Sequence, residues 1–309
     1  MIVFCKKICR RLFREWKDKK NLKFRINTGI KRYLISKSRD ARPTSYPFIS
    51  GDTFRSKAHH IFDEISVIFP EKVRTNDIVF ADIRKINEFF KVIHPKIKYR
   101  YKLITHNGDE AVSNDLVSLM DDKVIHWFGQ NVNVVHPKVS PIPIGLENMY
   151  FYNNGIIANF NKLQKNHVLK RNKILYGFSI ATNPLKRKPI HEVLLNIEVC
   201  EKVEGWPNAS KYLNILNTYK FVASPPGNGI DCIRTWEAMY LGVIPIVEES
   251  ILTNYYREIG LPLLVIKDWG ELKKISESSL QQIYQEISPK FSNTALYFDY
   301  WISKIEKNY

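Results

Sequence analysis

Cysteine, glycine and proline are all scarce in this chain of 309 residues, numbering four, 13 and 15. Four cysteines in so long a chain exclude a disulfide-stapled scaffold. They stand at positions 5, 9, 200 and 232, form no CxxC pair and show no Cys/His spacing suited to zinc, so they read as reduced thiols of a cytosolic protein. So little glycine and proline excludes collagen-like and low-complexity chains. No apolar run approaches the roughly 18 residues needed to cross a bilayer. The run Ile2-Val3-Phe4-Cys5 is too short for a secretory signal and is followed by more bases. Acidic residues are also few, 31 against 47 Lys and Arg, a net charge of +16. What remains is 44% apolar and 25% charged, an ordinary globular composition with the length for two packed domains or one large one.

The positive charge is local. Residues 1–40 hold 14 basic and 3 acidic side chains, leaving 33 and 28 for the other 269. A whole-protein nucleic-acid function loses force once the charge is located, and no nucleic-acid partner is expected. Wound as a helix, residues 2–16 place Cys5, Ile8, Cys9, Leu12, Phe13 and Trp16 along one stripe. Lys6, Lys7, Arg10, Arg11, Arg14 and Lys17 fall largely on the other side. Such a basic amphipathic arm suits an anionic membrane surface, each base near that surface adding ~1 kcal/mol. The alternatives are that the stripe packs on the protein's own body or that the arm binds nucleic acid.

In the body, strand-like apolar runs alternate with helical stretches, the pattern of parallel α/β units. Strands are expected at 78–81, 101–105 and 123–127, with a short extended piece at 141–144. Helices are expected at 85–92 and 116–120. Residues 150–172, rich in Asn and Lys, read as a linker. A second series follows: strands at 173–178, 199–203, 219–223 and 243–247, and helices at 186–196, 208–216 and 232–241. Residues 280–309 carry apolar positions at helical spacing. Two α/β halves place a ligand cleft between them, beyond the carboxyl ends of the strands.

The segment 219–247 is the most informative. It reads as a strand, a Gly-rich loop (Ser224-Pro225-Pro226-Gly227-Asn228-Gly229), a helix, a Gly stop and another strand. Glycines let backbone approach a ligand, and Asp231 is suited to cap the helix. N–H groups at the helix start favour phosphate. Arg234 in the first turn can hold phosphate oxygens at two points. Glu237, three residues on, shares its face and can accept from a ribose diol. The alternative is a plain βαβ turn with Arg234 and Glu237 as an exposed ion pair. Neither the dinucleotide GxGxxG nor a Walker A loop is present.

These residues carry a resemblance. The 224–229 loop with Asp231, Arg234, Trp236-Glu237-Ala238 and Gly242-Val243-Ile244-Pro245-Ile246-Val247 resembles the signature of exostosin-like glycosyltransferases and the wider GT-B superfamily. Residues 46–55, 104–109 (Ile-Thr-His-Asn-Gly-Asp), 126–131 (His-Trp-Phe-Gly-Gln-Asn) and 141–148 (Pro-Ile-Pro-Ile-Gly-Leu-Glu-Asn) are similar to motifs of bacterial surface-polysaccharide transferases. The resemblance implies two Rossmann-like α/β domains facing a cleft, flanked by a basic N-terminal helix and a C-terminal crossing helix. It divides the chain into a membrane-associating arm (1–40), an acceptor-side domain (41–165), a nucleotide-sugar domain (166–285) and a terminal helix packing back on the first domain (286–309). Retaining relatives carry a second Glu eight positions before the Glu-Ala-Met one; here that position is Gly229, which points to inversion.

An inverting transferase needs a base for the acceptor hydroxyl and positive charge for the leaving diphosphate. The resemblance puts the base in the first half: Asp52 first, then His106, Asp109 or Glu147. Their alternatives are a helix cap for Asp52, a turn-stabilising role for His106 and a polar loop residue for Glu147. On the donor side stand Ser179, Asn183, Arg187, Ser224, Gly227, Asn228, Gly229, Asp231, Arg234 and Glu237. Trp127, Phe128, Trp206 and Trp236 are stacking candidates, though aromatics are more often core. No metal and no cofactor are expected, the nucleotide sugar being a substrate. The expected acceptor is a surface glycan (capsule, O-antigen or lipopolysaccharide type) or its lipid-linked form, reached from the cytoplasmic face of the inner membrane. The competing reading is a non-catalytic nucleotide-sugar or glycan binder of the same fold.

Overall fold

The computed structural model describes residues 42–151, 153–166, 168–205 and 207–307. The basic arm, its amphipathic stripe and Trp206 lie outside the described residues.

A short helix α1 (Gly51–Arg55), capped by the Ser50 hydroxyl, precedes the first sheet. Its strands are β1 (His60–Phe62), β2 (Ile78–Asp82), β3 (Tyr101–His106), β4 (Val124–Gly129) and β5 (Val139–Pro141). All pair in parallel and in sequential order. The strands are nearly unbroken apolar runs because both faces are buried. One face, with Val79, Ala81, Leu103 and Trp127, packs on Ile83, Ile86, Phe89 and Phe90 of the helical stretch that follows β2. Sequential order with right-handed crossovers sends the connections to one side, so the opposite face must be covered from elsewhere. Ile78, Phe80, Ile104 and Phe128 on that face join Phe48 and Phe54 and the distant Phe298, Trp301 and Ile305.

Residues 150–172 are more than a linker. They contain the helix α2 (Ile157–Gln164), whose Phe160 and Leu163 are buried. Phe160 lies 5.9 Å from the Phe48 ring, and Gln164 donates to the Tyr240 carbonyl at 2.9 Å. A single buried face three residues wide is too sparse a period to stand out among Asn and Lys.

The second sheet is built from β6 (Arg171–Tyr176), β7 (Cys200–Lys202), β8 (Tyr219–Ala223), β9 (Ile244–Glu248) and β10 (Leu264–Ile266). Its order is β10-β9-β8-β6-β7, again all parallel. The helices are α3 (Pro184–Leu194), α4 (Ala209–Leu216), α5 (Ile233–Tyr240), α6 (Ile251–Glu258) and α7 (Glu277–Ile287). Ile174, Phe221, Ile244 and Ile246 face Ile190 and Leu194 of α3 and Leu280 and Ile287 of α7. Leu175 and Val222 face Leu213 and Leu216 of α4 and Trp236 of α5. This alternation gives the half two helical layers around a buried sheet, a Rossmann-like arrangement.

The last helix, α8 (Phe298–Glu306), returns to the first half. Its Phe298 ring meets Phe54 at 5.1 Å, and the Phe298 N–H donates to the Pro47 carbonyl at 3.0 Å. Lys102, buried in β3, donates from Nζ to the carbonyls of Glu306 (3.2 Å) and Lys307 (2.7 Å). A cation at a helix C-terminus meets both the dipole and the unpaired carbonyls. Among the described residues no helix is long and apolar enough to cross a membrane.

Candidate functional site

In the second sheet β7 lies on one side of β6 and β8 on the other, so the strand order reverses between β6 and β8. Ligands of open parallel sheets bind in the crevice at such a reversal. A cavity of about 870 Å³ opens there, lined by Gly177, Phe178 and Ser179 after β6, Tyr212 of α4, and Arg234 and Glu237 of α5. That volume lies within the range ligand cavities span.

Arg234 and Glu237 face it. Arg234 donates from Nη2 to the Gly177 carbonyl (3.0 Å) and from Nε to the Tyr212 hydroxyl (3.2 Å). These bonds hold the guanidinium plane, and Nη1 has no hydrogen-bond partner among the described residues. Glu237 is buried, yet its carboxylate accepts no hydrogen bond among the described residues. Burial pushes its pKa up to about 7; Arg234 opposes the shift and Glu147 across the cleft adds to it. The two residues are therefore not an exposed ion pair. No side chain caps α5, whose first residue Ile233 borders this cavity and a second one.

The second cavity, about 450 Å³, lies against the first half. It is lined by His106 at the end of β3, Asn107 and Asp109 after it, Gln130 after β4, and Glu147 and Asn148. Glu147 lines this cavity, and its partner Asn154 lines the larger one. Its oxygens accept from the Asn154 backbone N–H (2.9 Å) and side-chain amide (3.3 Å). The chain can double back there because residue 155 is glycine, since a Cβ would sit 1.7 Å from the Glu147 carbonyl oxygen.

Of the expected bases, Asp109 and Glu147 offer carboxylates to this cavity, whereas Asp52 lines neither. Asp52 is buried beneath Asn107 and Asn148, its carboxylate held by Arg42 at 3.2 Å and its N–H by Asn148 at 2.8 Å. Burial outweighs Arg42 and pushes its pKa up to about 6. It is not the cap of α1, a place taken by Ser50. His106 lines the cavity but both ring nitrogens are engaged. Nε2 donates to the Pro143 carbonyl (3.1 Å) and Nδ1 accepts from the Asn107 N–H (2.7 Å). Burial lowers its pKa to about 4, so it is neutral.

The Gly-rich loop also differs from expectation. Asp231 is not the helix cap, which is Cys232. Its buried carboxylate accepts from the Ile144 N–H of the first half (2.9 Å), the Cys232 N–H (2.9 Å), Trp236 Nε1 (3.1 Å) and the Tyr256 hydroxyl (2.8 Å). Its own N–H donates to Asn131 at 2.9 Å. Asn228 donates to Asp109 at 3.0 Å. Gly229 leaves room for Asn131, whose amide nitrogen a Cβ would meet at 2.4 Å. Arg187 donates to the carbonyls of Pro226 (2.8 Å) and Ser179 (3.1 Å), and Asn183 to that of Gly227 (2.8 Å). The Ser224 hydroxyl pairs with Thr235 at 2.9 Å. So the loop docks on the first half, and Asn183, Arg187, Ser224, Gly227, Asn228, Gly229 and Asp231 build the cleft without lining either cavity. Only Ser179, Arg234 and Glu237 of the donor-side set line it. Trp127 and Trp236 are core residues with Nε1 donated to Thr105 and Asp231. Phe128 is buried in the core. Among the described residues no cluster of three or more His, Cys, Asp or Glu is placed to hold a metal.

Tyr212, Asn107, Gln130 and Asn154 are site residues that sequence reasoning did not single out. Asn107 and Gln130 belong to the segments 104–109 and 126–131, and Asn107 at φ +69° is one of few non-glycine residues in the left-handed region. Tyr212 reads in sequence as a core position of a helix.

Residues 191–309 match the family described as RXYLT1 C-terminal domain. The match begins inside α3 and includes Arg234, Glu237 and α8. No curated protein matches the chain. Among solved structures, a UDP-forming α,α-trehalose-phosphate synthase from Burkholderia xenovorans in complex with glucose-6-phosphate aligns at TM-score 0.42 and 9% identity, over 76% of this chain and 75% of that one. An E. coli trehalose-6-phosphate structure bound with UDP-2-fluoro glucose aligns at 0.45 and 8%, over 77% and 74%. The UDP-GlcNAc 2-epimerase of Methanocaldococcus jannaschii aligns at 0.34 and 11%, over 74% and 76%.

Proposed function

We propose that the protein is a GT-B-type glycosyltransferase that moves a sugar from a nucleotide donor to a glycan hydroxyl with inversion. The observation that carries this is the pairing of Arg234 and Glu237 in the wall of the larger cavity, each with hydrogen-bonding capacity left over, at the strand-order reversal. The RXYLT1-type match over the same half supports it.

Arg234 and the uncapped start of α5 hold the diphosphate, and Glu237 accepts from the ribose hydroxyls. Glu147, in the wall of the smaller cavity and bonded to Asn154 of the larger one, takes the proton of the acceptor hydroxyl. The hydroxyl oxygen attacks the anomeric carbon, and the bond from that carbon to the diphosphate oxygen breaks. The leaving charge passes to the oxygens beside Arg234, so the positive group sits where charge develops. Glu147 is preferred to Asp109, which is exposed and engaged by Asn228. The acceptor is a surface glycan or its lipid-linked form. Residues 1–20 bring the cleft to an anionic membrane at the cytoplasmic face of the inner membrane, a reading supported by the charge pattern of the arm.

The test is a thermal-shift screen against uridine, guanosine and cytidine diphosphates, followed by donor hydrolysis and transfer with the nucleotide sugar that matches. One diphosphate is expected to stabilise the wild type, with binding at least ~10-fold weaker in Arg234→Ala and Glu237→Ala. Glu147→Gln is expected to bind donor normally and to lose ~10²–10⁴ in turnover. Absence of any diphosphate response, or an Arg234→Ala variant that binds as well as wild type, refutes the reading.

A further inference from the structure

Residues 67–76 and 91–100 of the first half carry six bases and one acid, Glu71. The whole chain beyond the basic arm holds 33 and 28. Its positive excess therefore equals that of these two segments, and they fold into one surface. The turn Pro70–Lys72 packs on the turn His94–Lys96. The Asn76 N–H donates to the Arg100 carbonyl at 3.0 Å. Ile68, Val73 and Ile97 are buried beneath.

The six bases, Lys72, Arg74, Lys91, Lys96, Lys98 and Arg100, are all exposed. Arg74 donates to the Glu71 carbonyl at 2.7 Å and Arg100 to that of Asp122 at 3.2 Å, and among the described residues none of the six has a carboxylate partner. Carboxylates on adjoining segments are engaged elsewhere: Asp77 with His60 (2.8 Å), Glu88 with Lys85 (3.4 Å), Asp121 with His94 (3.1 Å) and Asp122 with Lys138 (3.1 Å). Apolar side chains stand among the bases. Val67, Phe69, Val92 and Tyr99 are 42–64% exposed, whereas large apolar residues on a surface are normally scattered singly. Lys72 lies over the Phe69 ring at 4.7 Å and Arg74 over the Tyr99 ring at 5.7 Å.

This composition suits lipid better than another macromolecule. Rings and aliphatic groups enter the acyl boundary while ammonium and guanidinium groups stay with the phosphates. Protein interfaces are depleted in lysine, and four of the six bases are lysine. Val67 and Val92 give a nucleic-acid base nothing to stack on. The surface also adjoins the arm and the cleft. Val67 follows Glu64 by three residues, ~10 Å of chain at most. Glu64 pairs with Arg42, next to the basic arm, and Arg84 in the wall of the smaller cavity approaches it at 3.7 Å.

Resting on the membrane reading of residues 1–20 and extending it, we propose that the face formed by 67–76 and 91–100 is a second membrane contact. It lies on an anionic bilayer, with Val67, Phe69, Val92 and Tyr99 in the acyl boundary and the six bases among the lipid phosphates. One short amphipathic contact binds a bilayer reversibly, and a second on the same molecule multiplies the affinity. Two separated contacts also fix which way the cleft faces.

The experiment is hydrogen exchange read by mass spectrometry on the full chain, with vesicles of phosphatidylcholine and phosphatidylglycerol in equal parts. Amides of 67–76 and 91–100 are expected to exchange at least ~3-fold more slowly with these vesicles, and at an unchanged rate with phosphatidylcholine alone. Lys96→Gln, Lys98→Gln and Arg100→Gln together are expected to weaken vesicle partition ~10-fold or more, with a shallower salt dependence. Phe69→Ser with Tyr99→Ser is expected to weaken it ~10-fold with the salt dependence kept. Nucleoside-diphosphate binding by these variants is expected to match wild type, which separates a failed membrane face from a failed transferase reading. Protection confined to residues 1–20, equal protection by phosphatidylcholine alone, or variants that partition as wild type does overturns the proposal and leaves the arm standing. No protection anywhere overturns the face and the arm together. Protection of the two segments by soluble polyglutamate and not by vesicles gives the face to an acidic macromolecule and overturns the proposal as well.

Discussion

Glu237, the residue proposed to accept from the donor, carries a cost in stability. Its pKa is raised from 4.5 to about 7, chiefly by burial. A carboxyl that resists ionisation when folded favours the folded state below its unfolded pKa, and that advantage is lost as pH rises through the folded value. Glu237→Gln removes the titration. Wild type is therefore expected to fall relative to the variant between pH 4.5 and 7 by on the order of 3 kcal/mol, and then to run parallel. Denaturant melts of both proteins across pH 4 to 8 check this; a constant difference across the range contradicts the burial of an ionising Glu237. Under the proposed function the same substitution is expected to weaken donor binding, a trade of function against stability common at ligand sites.

Among the elements, α8 covers a face of the first sheet from the far end of the chain. Sequential strand order leaves one face of the first sheet without its own crossovers, and α8 supplies Phe298, Trp301 and Ile305 to it. Trp301 is 1% exposed and donates Nε1 to the Ala295 carbonyl at 2.8 Å. Trp301→Ala leaves a cavity and an unpaired carbonyl, and is expected to cost ~3–5 kcal/mol. Urea denaturation measures it; a loss below ~1 kcal/mol would show that α8 does not brace the sheet.

For the whole molecule, one cluster runs from Phe48 and Phe80 of the first half through Phe160 to Tyr240, Trp236 and Leu252 of the second. Asp231 adds hydrogen bonds to Ile144 and Asn131, and the Tyr240 hydroxyl accepts from the Ile49 N–H at 3.2 Å. Halves joined by a shared core unfold together. A single calorimetric transition with matching calorimetric and van't Hoff enthalpies is expected; two resolved transitions contradict the shared core. The membrane role proposed for residues 1–20 belongs to this scale too. Their deletion is expected to abolish flotation with anionic liposomes while leaving donor binding intact, and unchanged flotation removes the membrane assignment.

The amino-acid sequence by itself determined the alternation of strands and helices. Runs such as Ile78–Ala81 and Phe221–Ala223 are apolar on both faces, and that pattern is local. It also determined that Arg234 and Glu237 share a face of α5, because spacing of three residues suffices. The helix at 157–164 escaped it, having too few apolar positions for a period to emerge. Only the tertiary structure decided what the Gly-rich loop does. Its glycines meet Asn131 and Arg187 rather than a ligand, since the partner of a small residue lies 98 or 40 positions away. Only the tertiary structure set Asp52 out of both cavities and Glu147 in the wall of the smaller one. A carboxylate's neighbours are fixed by how the two sheets dock, and docking depends on the whole packed surface, which no short window of residues contains.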